Sequence, residues 1–223
     1  MTLTTAYGAL VAGATVWAVL VSRLMAKPWQ AESPGILGRI TEQPPARIGL
    51  VVFLAVVTSL FGLFITAYHM RMMDGMEHGD WRHFPVPPLL WANTLVLMAG
   101  SAAMQWARSA AQHDNAPALR WRLAGGGVLT GAFLVGQLVA WREVADTEFF
   151  AVGNPAIAFF YLLTAVHGLH LVGGLGVWGY TLKRLSRPGA KPQESRLTIG
   201  LCTVYWHYLL LVWLVLFGLL LST

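Results

Sequence analysis

Charge is scarce in this chain. Of its 223 residues only 11% are Asp, Glu, Lys or Arg while 56% are hydrophobic, against roughly 25% charged and about half apolar in a soluble domain. So few charges cannot cover a water-facing surface, and the chain belongs in lipid. Carboxylates are missing from the middle of every long apolar run, which removes the buried acid that usually marks a proton or ion path through a membrane. Cysteine is nearly absent as well. The single Cys202 lies inside an apolar run, so an internal disulfide and a cysteine-based zinc or iron–sulfur site are excluded, and its expected role is that of a small core residue. The apolar stretch from about Ala6 to Leu20 has no basic residue before it, unlike a secretory signal, and reads as a retained helix. No nucleophile sits beside a base. Gly125, Gly126 and Gly127 open an apolar run without a following lysine and hydroxyl, so they are not a phosphate cradle, and no internal repeat suggests a transporter built from inverted halves.

What the chain does contain is apolar length. Crossing about 30 Å of hydrocarbon takes about 20 residues of helix, and runs of that length fall near 6 to 25, 47 to 70, 89 to 108, 121 to 142, 156 to 182 and 197 to 221. The expected fold is therefore an all-α integral membrane bundle of six transmembrane helices. Its parts are an N-terminal helix (1–26), a linker (27–46) and a five-helix core (47–223). Pro28, Pro34, Gly35, Gly38, Pro44 and Pro45 make a continuous helix through the linker unfavourable. The net charge of +5 is spread over the ends of apolar runs rather than gathered on a stripe, so nucleic acid is not an expected partner. It reads instead as topology. Arg23, Lys27, Arg39 and Arg47 border the first connection, Arg108, Arg120 and Arg122 the third, and Lys183, Arg184, Arg187, Lys191 and Arg196 the fifth. The acids Asp74, Glu77, Asp80, Glu143, Asp146 and Glu148 gather in the second and fourth. The positive-inside rule then places both termini on the outer side.

Two regions hold side chains capable of chemistry. In the fifth run His167 and His170 stand three residues apart on one helical face, and His207 follows Trp206 in the sixth. Counted at about 1.5 Å per residue, His167 and His207 both reach mid-depth, which is compatible with a bis-histidine haem or metal site. The plainer reading has the histidines hydrogen-bonding across helices or to lipid headgroups, and no carboxylate or cysteine nearby in sequence completes a metal shell. The second connection, residues 69 to 83, carries His69, Met73, Met76 and His78, a thioether and imidazole set suited to copper(I). Its plainer reading is an interfacial helix end followed by a solvated loop. Gly125 to Gly127 and Gly173, Gly174 and Gly176 are expected to serve close helix packing.

The stretch Arg47-Ile48-Gly49-Leu50 with Phe53, Phe64, Ala67 and Tyr68 resembles the opening of the five-helix core of the third subunit of the haem-copper respiratory oxidases. Pro87-Pro88, Asn93-Thr94, Gly100, Gln137, Thr164 with His167-Gly168-Leu169-His170, Trp206-His207 and Trp213 follow in that family's order, and the resemblance covers residues 44 to 223. The larger members of the family have seven helices and the quinol oxidase subunit five. The resemblance thus implies that the family's first helix is absent and that residues 6 to 25 replace the second or are an addition. Three positions depart from the family's pattern: Val57, Ala140 and Leu210 stand where it has two glutamates and an aspartate.

The resemblance implies a subunit with no redox centre of its own. Haem and copper are expected in the partner subunits I and II, bound phospholipid in this one, and the setting is the bacterial inner membrane. Its polar positions of interest, as lipid contacts or structural groups, are Arg71, Asn93, Gln137, His167, His170, Trp206 and His207. The role implied is to stabilise subunit I and sustain its proton delivery, in a cytochrome c or quinol oxidase. A companion subunit of a nitric oxide reductase and a free-standing copper-handling membrane protein are the alternatives.

Overall fold

A computed structural model describes residues 44–81, 86–146, 154–187 and 192–222. Among them the regular elements are α-helices: α1 (Pro45–His78), α2 (Leu89–Gln112), α3 (Ala116–Ala145), α4 (Pro155–Leu185) and α5 (Pro192–Leu221). The expected helix over 6 to 25, and the linker up to residue 43, lie outside the described residues. Leu50–Thr223 forms one compact unit, and of the residues before it 44–49 are described.

Each helix outruns the apolar stretch that announced it, because local chemistry and not hydrophobicity sets the ends. Proline, whose missing N–H is harmless in a first turn, opens α1 at Pro45, two residues inside the expected linker. Asn115 accepts from the Ala118 N–H at 3.1 Å to start α3, and Asn154 accepts from the Ala156 N–H at 3.1 Å to start α4. Both are side-chain N-caps. At the far end of α1 the chain runs helically to His78, eight residues past the expected stop. Gly79 then turns at φ +75°, and the Asp80 N–H reaches back to the Gly75 carbonyl at 3.0 Å, a glycine-terminated helix end.

Among the described residues four helices are long and apolar enough to cross a membrane: Pro45–His78, Ala116–Ala145, Pro155–Leu185 and the Ser195–Leu221 part of α5. Helix α2 is long enough but less apolar than the expectation for 89 to 108 requires. Its polar residues are the reason, and Asn93, Thr94 and Ser101 point into the protein, where they are buried. Neighbouring helices rather than lipid receive that polar face.

Two kinds of helix contact result. Helices α2 and α3 approach most closely, through small residues: Ala103, Ala107, Ala110 and Ala111 are buried on α2, and Gly100 faces Gly126 and Thr130 on α3. Small side chains let backbones approach and gain dispersion contacts in a solvent that supplies no hydrophobic drive. Helix α1 is attached differently. Its backbone stands further from its neighbours, only 11% of its span is buried, and its buried residues Val57, Phe61, Tyr68 and Gly75 form a narrow seam. Large rings bridge the gap: Phe53 lies 6.2 Å from His170 and 6.1 Å from Tyr205, Phe61 lies 5.5 Å from His170, and Tyr68 lies 5.4 Å from Phe159. The Thr58 and Tyr208 hydroxyls meet at 2.9 Å.

Of the glycines expected to serve packing, Gly126, Gly127 and Gly174 do, whereas a Cβ on Gly125, Gly173 or Gly176 would meet nothing within 4 Å. A Cβ on Gly127 would lie 2.1 Å from the Trp178 ring, and that ring is tied by its Nε1–H to the Leu123 carbonyl at 2.8 Å. Gly127→Ala should therefore destabilise the folded chain by about 1–3 kcal/mol through overpacking. Gly173→Ala should be neutral or stabilising by up to about 1 kcal/mol, the helix-propensity gain. Unfolding in mixed detergent micelles reads both.

Candidate functional site

Charged groups sit at the ends of the bundle. At the α1 end, Arg71 pairs with Asp74 at 3.2 Å and with Asp80. The hydrogen bond from this guanidinium holds the Asp80 carboxyl below the usual carboxylate range. At the opposite helix ends, Arg196 donates to the Ala111 and Gln112 carbonyls at 2.9 and 3.1 Å and pairs with Asp114 at 2.9 Å. A cation placed on the last carbonyls of α2 satisfies groups the helix cannot satisfy itself and opposes its dipole. Asp114 occupies the tight turn into α3 with φ 54°.

The copper(I) reading assumed a loop over residues 69 to 83, and the helical course of α1 to His78 corrects that. Arginine, methionine and glutamate are good helix formers, and the Arg71–Asp74 pair adds an i, i+3 contact. His69, Met73 and Met76 share an exposed face of the helix, but His78 lies on the opposite side, its Nδ1 against the Asp74 carbonyl at 2.9 Å. Among the described residues no three His, Cys, Asp or Glu side chains gather as a metal cluster.

The three intramembrane histidines separate. His207 bonds across to α2, with Nδ1 2.5 Å from the Ser101 hydroxyl and Nε2 3.2 Å from the Gln105 side-chain oxygen. His170 turns Nδ1 to the Val166 carbonyl of its own helix at 2.7 Å. His167 is fully buried with ring neighbours Phe61, Phe133 and Trp213, and neither of its nitrogens has a hydrogen-bond partner. Interhelical bonding thus holds for His207, whereas the His167 ring stands among aromatic side chains and its nitrogens meet no polar side chain. The two imidazoles also do not converge. Both His207 nitrogens face α2, while His167 is surrounded by rings of α1, α3 and α5. Asn93 donates to the Phe133 carbonyl at 3.0 Å, locking α2 to α3, while Gln137 is buried with both side-chain polar atoms unpartnered.

The positions where the resemblance places carboxylates are filled by apolar side chains in the core: Val57 and Ala140 are buried and Leu210 is half-buried. Among the described residues none that is buried carries an Asp, Glu, Lys or Arg side chain.

What organises the polar core is a set of tryptophan–threonine pairs. Trp213 Nε1–H donates to Thr94 Oγ1 at 2.9 Å, Trp206 to Thr130 at 2.8 Å, and Trp141 to Thr164 at 2.9 Å. Each hydroxyl in turn donates to the carbonyl one turn earlier in its own helix: Leu90 at 2.7 Å, Gly126 at 2.8 Å and Phe160 at 2.6 Å. An indole N–H only donates, so each threonine must point its proton to the backbone and offer a lone pair to the ring. The pairs link α5 to α2, α5 to α3, and α3 to α4. Thr130, Ser101 and Gln105 carry no local signal in the sequence, since their partners are about 75 or more residues away and no spacing rule connects them. Thr130→Val keeps the shape of the side chain but leaves the Trp206 N–H unsatisfied, and should destabilise the fold by about 1–3 kcal/mol. Thr66→Val, whose exposed hydroxyl bonds only the Gly62 carbonyl, should change it by less than about 0.5 kcal/mol. Comparing the two unfolding midpoints checks the pairing.

The family model for cytochrome c oxidase subunit III matches residues 8–221. The match extends the resemblance of residues 44 to 223 back through most of the N-terminal apolar run. Cytochrome c oxidase subunit 3 of Thermostichus vulcanus is 29% identical over 186 residues, covering 80% of this chain and 88% of that one. The subunit 3 of Synechocystis sp. is 32% identical over 175 residues, with 76% and 72% covered. A probable subunit 3 of Mycobacterium tuberculosis is 31% identical over 176 residues, with 76% and 84% covered. With an all-helical bundle, membrane-length apolar helices and this match across nearly its whole length, the chain belongs to the cytochrome c oxidase subunit III family and is an accessory subunit of a haem-copper terminal oxidase.

Proposed function

We propose that this chain packs against the haem-bearing subunit I, alongside subunit II, stabilises the catalytic subunit, and binds membrane phospholipid. The observation that supports this reading best is the interior without formal charge: among the described residues the buried polar or charged side chains are Asn, Gln, Ser, Thr and His, with no buried Asp, Glu, Lys or Arg. Such a bundle can act on a neighbour by shape and can hold its fold while apolar side chains such as Leu95, Met98 and Val128 face lipid or another subunit. Val57 and Ala140 in the core argue against a proton path through this chain, so support of proton delivery would act through subunit I itself.

In the same reading the chain lies in the bacterial inner membrane. The helix ends bearing Arg120, Arg184, Arg187 and Arg196 face the cytoplasm, and the α1 end with Asp74, Glu77 and Asp80 faces out. Arg71 meets two carboxylates, so headgroup binding there would be weaker than at the basic end.

Affinity purification of the tagged chain from its native membranes in mild detergent should recover a haem-bearing partner in equal amount; recovery of a lone bundle would remove the proposal. Trp206→Ala opens a core cavity, a change worth about 3–5 kcal/mol. It should lower the amount of this chain retained in the complex several-fold and leave the haem absorption spectrum unaltered.

A further inference from the structure

We infer that Gln137 and His167 together form an internal water-binding site between α3 and α4. Both side chains are at most 3% exposed, and all four of their nitrogen and oxygen atoms, Gln137 Oε1 and Nε2 and His167 Nδ1 and Nε2, have no hydrogen-bond partner. Apart from Trp81 Nε1 at the end of α1, no other buried side-chain polar atom among the described residues is in this condition.

The contacts on either side place the two residues at one level. One turn before Gln137 on α3, Phe133 packs its ring 5.9 Å from His167. One turn after it, Trp141 donates to Thr164 at 2.9 Å, and Thr164 lies three residues before His167 on α4. Gln137 is therefore bracketed by contacts to the His167 turn, on the inward side of its helix. The imidazole is held by the Phe61, Phe133 and Trp213 rings at 6.5, 5.9 and 5.2 Å, which limits its freedom to swing toward a direct partner.

Unsatisfied polar atoms are rarely left in protein interiors, and in lipid no solvent can reach them from outside the bundle. The chemistry of the pair selects the occupant. A neutral imidazole offers one donor and one acceptor, and a primary amide offers two donors and an acceptor. Water, which both donates and accepts and needs two to four partners, completes this set without bringing in a charge. An anion would leave the acceptors unmet, and a metal ion would find no carboxylate among the described core residues.

Two measurements test this in the assembled complex and in the full-length chain. A density map fine enough to show ordered solvent should contain a water about 2.7–3.2 Å from a Gln137 side-chain atom and from a His167 ring nitrogen. A dry site, or a direct Gln137–His167 hydrogen bond, overturns the inference. In unfolding equilibria, Gln137→Leu and His167→Phe should each lower the folding constant on the order of tenfold, because each leaves its partner and the water short of bonds. The double variant, which removes both polar groups and the need for water, should lose much less than the product of the single effects. Losses that simply multiply overturn it as well.

Discussion

In hydrocarbon a polar atom must find its partner inside the protein, and the tryptophan–threonine pairs show how this bundle meets that demand. A threonine hydroxyl on a helix can return its proton to the carbonyl one turn back and still present a lone pair sideways. Thr94, Thr130 and Thr164 each do so, and each receives an indole N–H from another helix. The large ring fills volume, and its single donor is consumed in the same contact. Such a joint transmits position between helices with no charge to desolvate, which is why Trp206 and Trp213 can be among the largest fully buried side chains of the fold.

The same demand separates the tightly built part of the bundle from its more loosely attached helix. Where α2 meets α3, alanine and glycine allow close backbones, and Asn93 reaches the Phe133 carbonyl. Where α1 meets α4 and α5, rings and hydroxyls span a wider gap, and most of α1 presents apolar side chains outward. Lipid or a hydrophobic neighbour can cover such a face without unsatisfied polar groups. Apolar volume fills the core at the same time: Val57 and Ala140 are buried at positions where the resemblance places carboxylates. The subunit is thereby suited to holding shape beside a redox partner.

Much of this was legible in the sequence, and the misses have physical causes. Apolar run length located all the helices that the described residues contain, because spanning lipid imposes a minimum length that composition reports directly. It did not locate their ends, which depend on Asn115, Asn154 and Gly79, and it stopped the first core helix at residue 70 because polar side chains over 71–78 obscured a sound helical continuation. Residue spacing singled out His167, and the family resemblance singled out Gln137 and Trp206, as polar or aromatic positions of interest. It could not tell that His207 would find Ser101 while His167 would be walled in by Phe61, Phe133 and Trp213, since that depends on which faces meet across more than 30 intervening residues. Thr130 was invisible for the same reason.

In the proposed function, a neutral, jointed bundle of the cytochrome c oxidase subunit III family divides labour with its partner: electrons and oxygen chemistry on one side, shape and lipid on the other. The most direct measurement is to strip this chain selectively from the purified oxidase and compare haem content and initial oxygen-reduction rate before and after. An unchanged haem complement and a largely retained initial rate are expected. Haem leaving with the stripped chain would contradict that division.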